Sequence, residues 1–192
     1  MSLQKRLESE NIELPSIFYS NVDSFTEHLM RWNKIHNLTG ARTIKDIENN
    51  IYDAVYPIKF LPEVKSAMDI GTGAGFPGML LAIALPKTHF TLVEPLQKRS
   101  SFLQFIVGVL KLKNVKVETK RVEDLEADKV DLITSRAVTD TKLLMELSKE
   151  FIQNDTLILF YKGTSVEEEI DESLDYKIIQ RDNRRYLLIK NK

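Results

Sequence analysis

The chain has 192 residues, 43% of them apolar, which suits one domain with a small appendage and a buried core. It contains no cysteine, which excludes disulfides, thiolate metal sites and a cysteine nucleophile. Its 27 Lys and Arg nearly balance 28 Asp and Glu, so the net charge of −1 says little about a polyanionic partner; only a local basic face would matter.

The opening residues, MSLQKRLESE, are charged and amphipathic and do not resemble a secretory leader. The apolar runs are far short of a membrane span, so a cytoplasmic protein with no membrane partner is expected. From Pro15 to Trp32 the residues Phe18, Val22, Phe25, Leu29 and Trp32 recur at helical steps, predicting an amphipathic helix packed on the core. A second helix is expected from Ile44 to Lys59, broken by Pro57 and ended by Pro62. Between them lies the polar stretch Trp32-Asn33-Lys34-Ile35-His36-Asn37-Leu38-Thr39-Gly40. There Asn37 and Thr39 either cap the next helix or face a ligand pocket. Glycine is nearly absent before residue 71, so residues 1–62 read as a helical extension.

From Ser66 onward the pattern alternates. Strands are predicted at Ala67–Ile70, His89–Glu94, Val115–Lys120, Val130–Thr134 and Thr156–Lys162. Helices are predicted at Pro77–Leu85, Gln97–Leu110 and Asp140–Glu150. Such alternation implies a parallel sheet with helices on both faces. Ser165 and Glu168 have the spacing of a capping box for one more helix. Tyr176–Gln180 and Arg185–Ile189, around Asp182-Asn183-Arg184, read as a terminal antiparallel hairpin. Residues 63–192 therefore form a Rossmann-like α/β unit of seven strands. It is compact with the extension, and no exposed apolar seam is evident, so a monomer is expected.

The centre of the chain is Ala67-Met68-Asp69-Ile70-Gly71-Thr72-Gly73-Ala74-Gly75-Phe76-Pro77-Gly78, a strand, a glycine turn and a buried helix. Its glycines allow positive φ and close approach of a ligand to the backbone. A dinucleotide fingerprint needs G-x-G-x-x-G, but Phe76 stands where the third glycine belongs. Asp69 at the strand end would repel a pyrophosphate and welcome an ammonium group. S-adenosyl-L-methionine (AdoMet) carries such a group, and Glu94 lies where a ribose-binding acid is expected. No metal site is expected.

These residues, with L-V-E-P-L-Q-K-R-S-S-F-L, R-V-E-D, S-R-A-V, Y-K-G and the upstream W-N-K-I-H-N-L-T, resemble one family from Phe25 to Gly163. It is the ribosomal RNA small-subunit methyltransferase G family, also called glucose-inhibited division protein B. The resemblance implies AdoMet-dependent methylation of guanosine N7 in 16S ribosomal RNA, with that RNA or the small subunit as partner. It implies cofactor contacts from Gly71, Gly73, Gly75, Phe76, Glu94, Val122, Glu123 and Arg136, beside the Asp69 read above. Lys98, Arg99, Arg121 and Lys162, at the same end of the sheet, are candidates for RNA phosphates. The family's ribose-binding acid is commonly Asp, whereas this chain has Glu94. Beyond Gly163 no signature of the family is evident.

N7 already carries an in-plane lone pair, so transfer needs alignment rather than a general base. Arg136 and Lys162 are then expected to position substrate and cofactor, and Arg136 reads as an exposed strand-end residue. Its planar donor fork suits the acceptor edge of guanine, although donating to N7 itself would block the reaction. Arg181, Arg184 and Arg185 at the hairpin either protect an edge strand or face RNA. Three other functions remain open: a non-catalytic AdoMet-binding ribosome-assembly factor, a small-molecule methyltransferase, and a nicotinamide-dependent oxidoreductase. Phe76 and the terminal hairpin speak against the last.

Overall fold

Short apolar runs bounded by glycine and polar turns build a single seven-stranded sheet. The computed structural model describes residues 2–136, 140–164, 166, 170 and 174–191. Its strands are β1 (Ser66–Ile70), β2 (His89–Val93), β3 (Val115–Glu118), β4 (Val130–Arg136), β5 (Ile152–Lys162), β6 (Tyr176–Arg181) and β7 (Arg184–Lys190). They lie in the order β3-β2-β1-β4-β5-β7-β6. The first five are parallel. β7 runs antiparallel to both β5 and β6. β5 starts before Thr156 because the polar run Gln153-Asn154-Asp155 hides its beginning. The pairing with β4 shifts register there, and Asp155 takes a left-handed φ of 66°.

The helices are α1 (Leu3–Ser9), α2 (Ser16–His36), α3 (Ile44–Val55), α4 (Gly78–Ala84), α5 (Gln97–Val109) and α6 (Thr141–Ser148). α1 was too short to show a sequence period; it forms because Leu3 and Leu7, one turn apart, are both buried. Asn37, at φ 49°, ends α2 in the left-handed conformation. α3 opens with a capping box: the Asp46 N–H donates to the Thr43 hydroxyl, and the Thr43 N–H donates to Asp46. The cap is therefore Thr43, not Asn37 or Thr39. Tyr56–Lys59, around Pro57, tighten into a 3-10 turn. Pro77 sits just before α4 rather than within its first turn. The capping box expected at Ser165 and Glu168 lies outside the described residues.

Two apolar layers cover the sheet. On one face α1–α5 pack into a core that runs from Phe18, Phe25 and Ile51 through Met79 and Phe102 to Tyr161 and Tyr186. On the other, Met68, Ile133, Phe160 and Leu187 pack with Leu144 of α6. α4 is buried at every residue, wedged between α2, α3 and the sheet. Burying one such aliphatic or aromatic side chain contributes about 1.5–3 kcal/mol. The N-terminal helices thus share one core with the sheet, and this fixes their polar residues over its C-terminal end. Trp32 belongs to that packing, with ring centres 5.6 and 5.5 Å from Phe102 and Phe105 of α5.

Candidate functional site

The glycine turn after β1 uses its own amides. Gly71 and Thr72 N–H both donate to the Val93 carbonyl at 2.9 and 3.1 Å, while Gly75 and Phe76 N–H donate to Thr72 O at 2.9 and 3.0 Å. Gly73 N–H donates to Glu94 Oε2, and Gly78 N–H to Asp69 Oδ2, both at 2.9 Å. A pyrophosphate cradle needs such amides aimed outward. Here they are consumed inside the protein, and the carboxylate of Asp69 occupies the start of α4. The turn rejects a dinucleotide by its hydrogen bonding as well as by its spacing.

Beside the turn lies a cleft of roughly 470 Å³. One wall is Gly71–Ala74 with Phe76; another is Glu94, Pro95, Leu96 and Arg99, past the end of β2. Leu38, Thr39 and Gly40, from the α2–α3 connection, and Arg136, from the end of β4, complete it. Asn33 holds that connection in place: its Oδ1 accepts from Thr39 N–H at 2.9 Å and its Nδ2 donates to Ala41 O at 3.0 Å. Thr39 faces the cleft, which answers the alternative left open by the sequence.

The cleft fits AdoMet on two observations. Gly73 has φ +60° and open space where a Cβ would stand, so a ligand can meet bare backbone there. Glu94 is 2% exposed, yet it borders the cleft and accepts Gly73 and Leu96 N–H, one on each carboxylate oxygen. A carboxylate has about four acceptor sites, so two remain for ribose hydroxyls. Two backbone amides have fixed its orientation in advance. Arg99 Nη1 lies 3.9 Å from Glu94 and balances its charge at the rim.

Other expected cofactor contacts stand elsewhere. Asp69 is fully buried behind the turn: Thr134 Oγ1 donates to it at 2.7 Å, and burial pushes its carboxyl up to about 6. Hydrogen bonds from Thr134 and Gly78 and the charge of Arg136 oppose that rise. It braces α4 and does not border the cleft. Gly75, at φ +101°, is glycine because a Cβ would lie 2.8 Å from Met79 Cβ and 3.2 Å from Leu103 Cδ2. Close packing against α4 and α5 requires a glycine there, and Gly75 does not border the cleft. Val122 is buried in the second core layer and Glu123 is exposed; neither borders the cleft as the side chains stand.

Of the four basic residues proposed for phosphates, Arg99 alone borders the cleft. Lys98 and Arg121 are exposed away from it, and Lys162 ends β5. All four share the C-terminal end of the sheet, but β3 and β5 are four strand spacings apart, about 19 Å. They form no single patch.

Arg136 is not an exposed strand end. Its side chain is 15% accessible, and burial pulls its pKa below the ordinary arginine value. Nη1 donates to Asn50 Oδ1 at 3.1 Å and lies 3.8 Å from Asp53; the guanidinium carbon sits 5.0 Å from the centre of the Phe76 ring. Asn50 and Asp53 were missed from sequence. Their one signal is position: they stand three apart on α3, beside the apolar stripe Ile47, Ile51 and Ala54, where polar side chains face the protein interior. Tyr161 and Tyr186 dock the end of that helix by donating to Ala54 O at 2.6 Å and to Asp53 at 3.0 Å. Among the described residues, no helix is long and apolar enough to cross a membrane, and no cluster of three or more His, Asp or Glu is placed to hold a metal ion.

The 3-2-1-4-5-7-6 strand order and a cleft at the end of β1 define a Rossmann-like class I methyltransferase fold. A putative O-methyltransferase from Klebsiella pneumoniae superposes with a TM-score of 0.63 at 15% identity, covering 90% of each chain. M. jannaschii TYW2, solved in complex with AdoMet, gives 0.56 at 17% identity over 73% of this chain and 74% of its own. Residues 19–189 match the family model described as rRNA small subunit methyltransferase G, and the chain belongs to that family. The ribosomal RNA small subunit methyltransferase G of Wolinella succinogenes is 47% identical over 97% of this chain and 96% of its own length.

Proposed function

We propose that this protein transfers the methyl group of AdoMet to N7 of a guanosine in 16S ribosomal RNA. The observation that carries the reading is that the titratable groups lining the cleft, among the described residues, are one carboxylate already held by backbone amides and two arginines. These are Glu94, Arg99 and Arg136, and both oxygens of Glu94 are bonded to amides. A cleft so furnished suits a nucleophile that needs no deprotonation, as guanine N7 with its in-plane lone pair does not. When bound, AdoMet supplies the electrophilic methyl group on a sulfonium.

This chain's own residues then bind and orient. Glu94 receives the ribose hydroxyls, and the open backbone at Gly73 lies against the cofactor. Arg136, pinned by Asn50 and Phe76, presents its remaining donors toward the guanine carbonyl edge while leaving N7 unbonded. Rigid placement of the fork supports in-line approach without reorganisation. The protein acts as a cytoplasmic monomer.

The test is transfer of labelled methyl from AdoMet to small-subunit RNA and to assembled small subunits from cells lacking the protein, followed by nucleoside separation. Label in 7-methylguanosine is the expected result. Label in another nucleoside overturns the N7 assignment, and AdoMet binding without transfer to either substrate returns the reading to a non-catalytic assembly factor.

A further inference from the structure

A second depression, of roughly 460 Å³, lies between α3 and the β6–β7 turn, and neither AdoMet binding nor methyl transfer uses it. Arg6, Asn49, Arg181, Asn183 and Arg184 border it, with Asp53 at its base. Asp53 is an anchor for arginines: Arg181 Nη2 is 2.8 Å from Oδ1, Arg184 Nε 2.7 Å from Oδ2, and Arg136 3.8 Å from Oδ2. Arg6 donates to Asn49 Oδ1 at 2.8 Å. Among the described residues three guanidinium groups, of Arg6, Arg181 and Arg184, thus border the depression with two carboxylates, Asp53 and the 83%-exposed Asp182, an excess of one positive charge, while Arg136 reaches Asp53 from the side of the cleft.

The guanidinium groups are also held in position. The Arg6 and Arg181 carbons lie 4.0 and 4.7 Å from the Tyr52 ring centre, and Arg181 lies 5.1 Å from that of Tyr56. Arg181 Nε donates to Tyr186 Oη at 3.3 Å, and Arg184 Nη1 to the Lys162 carbonyl at 3.5 Å. Gathering like charges about one acid is poor design for stability alone. It is apt for an anion whose oxygens accept from several planar forks at once.

We propose that this depression seats a backbone phosphate of the RNA strand whose base enters the AdoMet cleft, a reading that rests on RNA being the substrate. Arg136 links the two sites, since it borders the cleft and shares Asp53 with Arg181 and Arg184. In the sheet, β5 alone separates β4 from the hairpin strand β7, so the sites stand about two strand spacings, roughly 10 Å, apart. One strand of RNA spans that distance with a base in one site and a nearby phosphate in the other. Of the hairpin arginines, Arg181 and Arg184 therefore face RNA rather than guard an edge, whereas Arg185 does not border the depression.

The experiment uses the full chain, a small-subunit RNA fragment containing the target guanosine in unmethylated form, and AdoMet. Arg6→Gln combined with Arg184→Gln removes two forks. Asn49→Asp leaves every arginine in place but adds a carboxylate on an exposed position, so it guards against misfolding of the first variant. Each is expected to weaken RNA binding about tenfold. In the double variant the slope of log K against log salt should also fall by about one. KM for RNA rises, while kcat at saturating RNA and AdoMet affinity by calorimetry stay as in the unaltered protein. Unchanged RNA affinity and salt slope in both variants overturn the seat. Tight binding of inorganic phosphate or guanosine monophosphate, lost in the variants while RNA affinity is unaffected, overturns it in favour of a free-nucleotide site. If the unaltered protein itself binds neither RNA nor subunits, the substrate reading fails first, and the seat fails with it.

Discussion

Asp69 offers a direct test of the link between burial and stability. It is fully buried under the glycine turn, and its carboxyl titrates near 6 rather than at the ordinary 3.8. A raised carboxyl means that the folded chain holds this proton more tightly than the unfolded chain does. Between about pH 4 and 6 the folded state keeps the proton and the unfolded state has lost it, so Asp69's contribution to stability falls as pH rises. At about 1.36 kcal/mol per unit, the difference between 3.8 and about 6 amounts to roughly 3 kcal/mol. Asp69→Asn removes the titration and keeps the hydrogen bonds. The Asn oxygen accepts from Gly78 N–H, its amide donates to Thr134 Oγ1, and the Thr134 proton turns to the Met68 carbonyl, already 3.5 Å away. Urea unfolding followed by circular dichroism from pH 4 to 7 reads the effect. The stability of the Asn variant minus that of the unaltered protein should climb by about 3 kcal/mol up to pH 6 and then level off. Subtraction cancels the other carboxylates, among them Asp46 and Asp140, which hydrogen bonds hold below their usual range. A difference that stays constant across the whole range refutes the reasoning.

Gly75→Ala should lower stability by about 2–5 kcal/mol, since alanine at positive φ costs about 1–2 and overpacking against Met79 about 1–3. An unchanged urea midpoint contradicts it. Glu94→Gln should weaken AdoMet binding about tenfold in calorimetry by replacing a charged acceptor with a neutral one; full affinity would remove Glu94 from the ribose. Arg136→Ala should reduce methyl transfer at least a hundredfold. It should also cost about 1–3 kcal/mol of stability, because Asp53 loses one of three arginine partners. Retained turnover, scored by methyl incorporation, would exclude Arg136 from the site.

The order of strands and helices was legible because it rests on local periodicity, and each strand from β1 to β7 lies within a few residues of its predicted place. The Gly71–Phe76 turn and Glu94 were legible for a similar reason: glycine at positive φ and an acid at a strand end leave traces in one short stretch. What those residues do once folded was less so. Asp69 and Gly75 look like ligand contacts in one dimension, but the sequence carries no information on depth, and both serve the packing of α4. Asn50 and Asp53 precede Arg136 by more than eighty positions and meet it only because α3 crosses the end of the sheet.

By itself, the sequence determined that this is an AdoMet-type α/β sheet with a helical extension and a terminal hairpin, since hydrophobic period and turn chemistry act over a few residues. Only the tertiary structure decided that the extension and the hairpin meet around Asp53, gathering Arg136, Arg181 and Arg184 at one carboxylate. That convergence arises from long-range packing, in which Tyr161 and Tyr186 bond to the end of α3. Charges brought together from distant stretches of chain leave no local pattern to read.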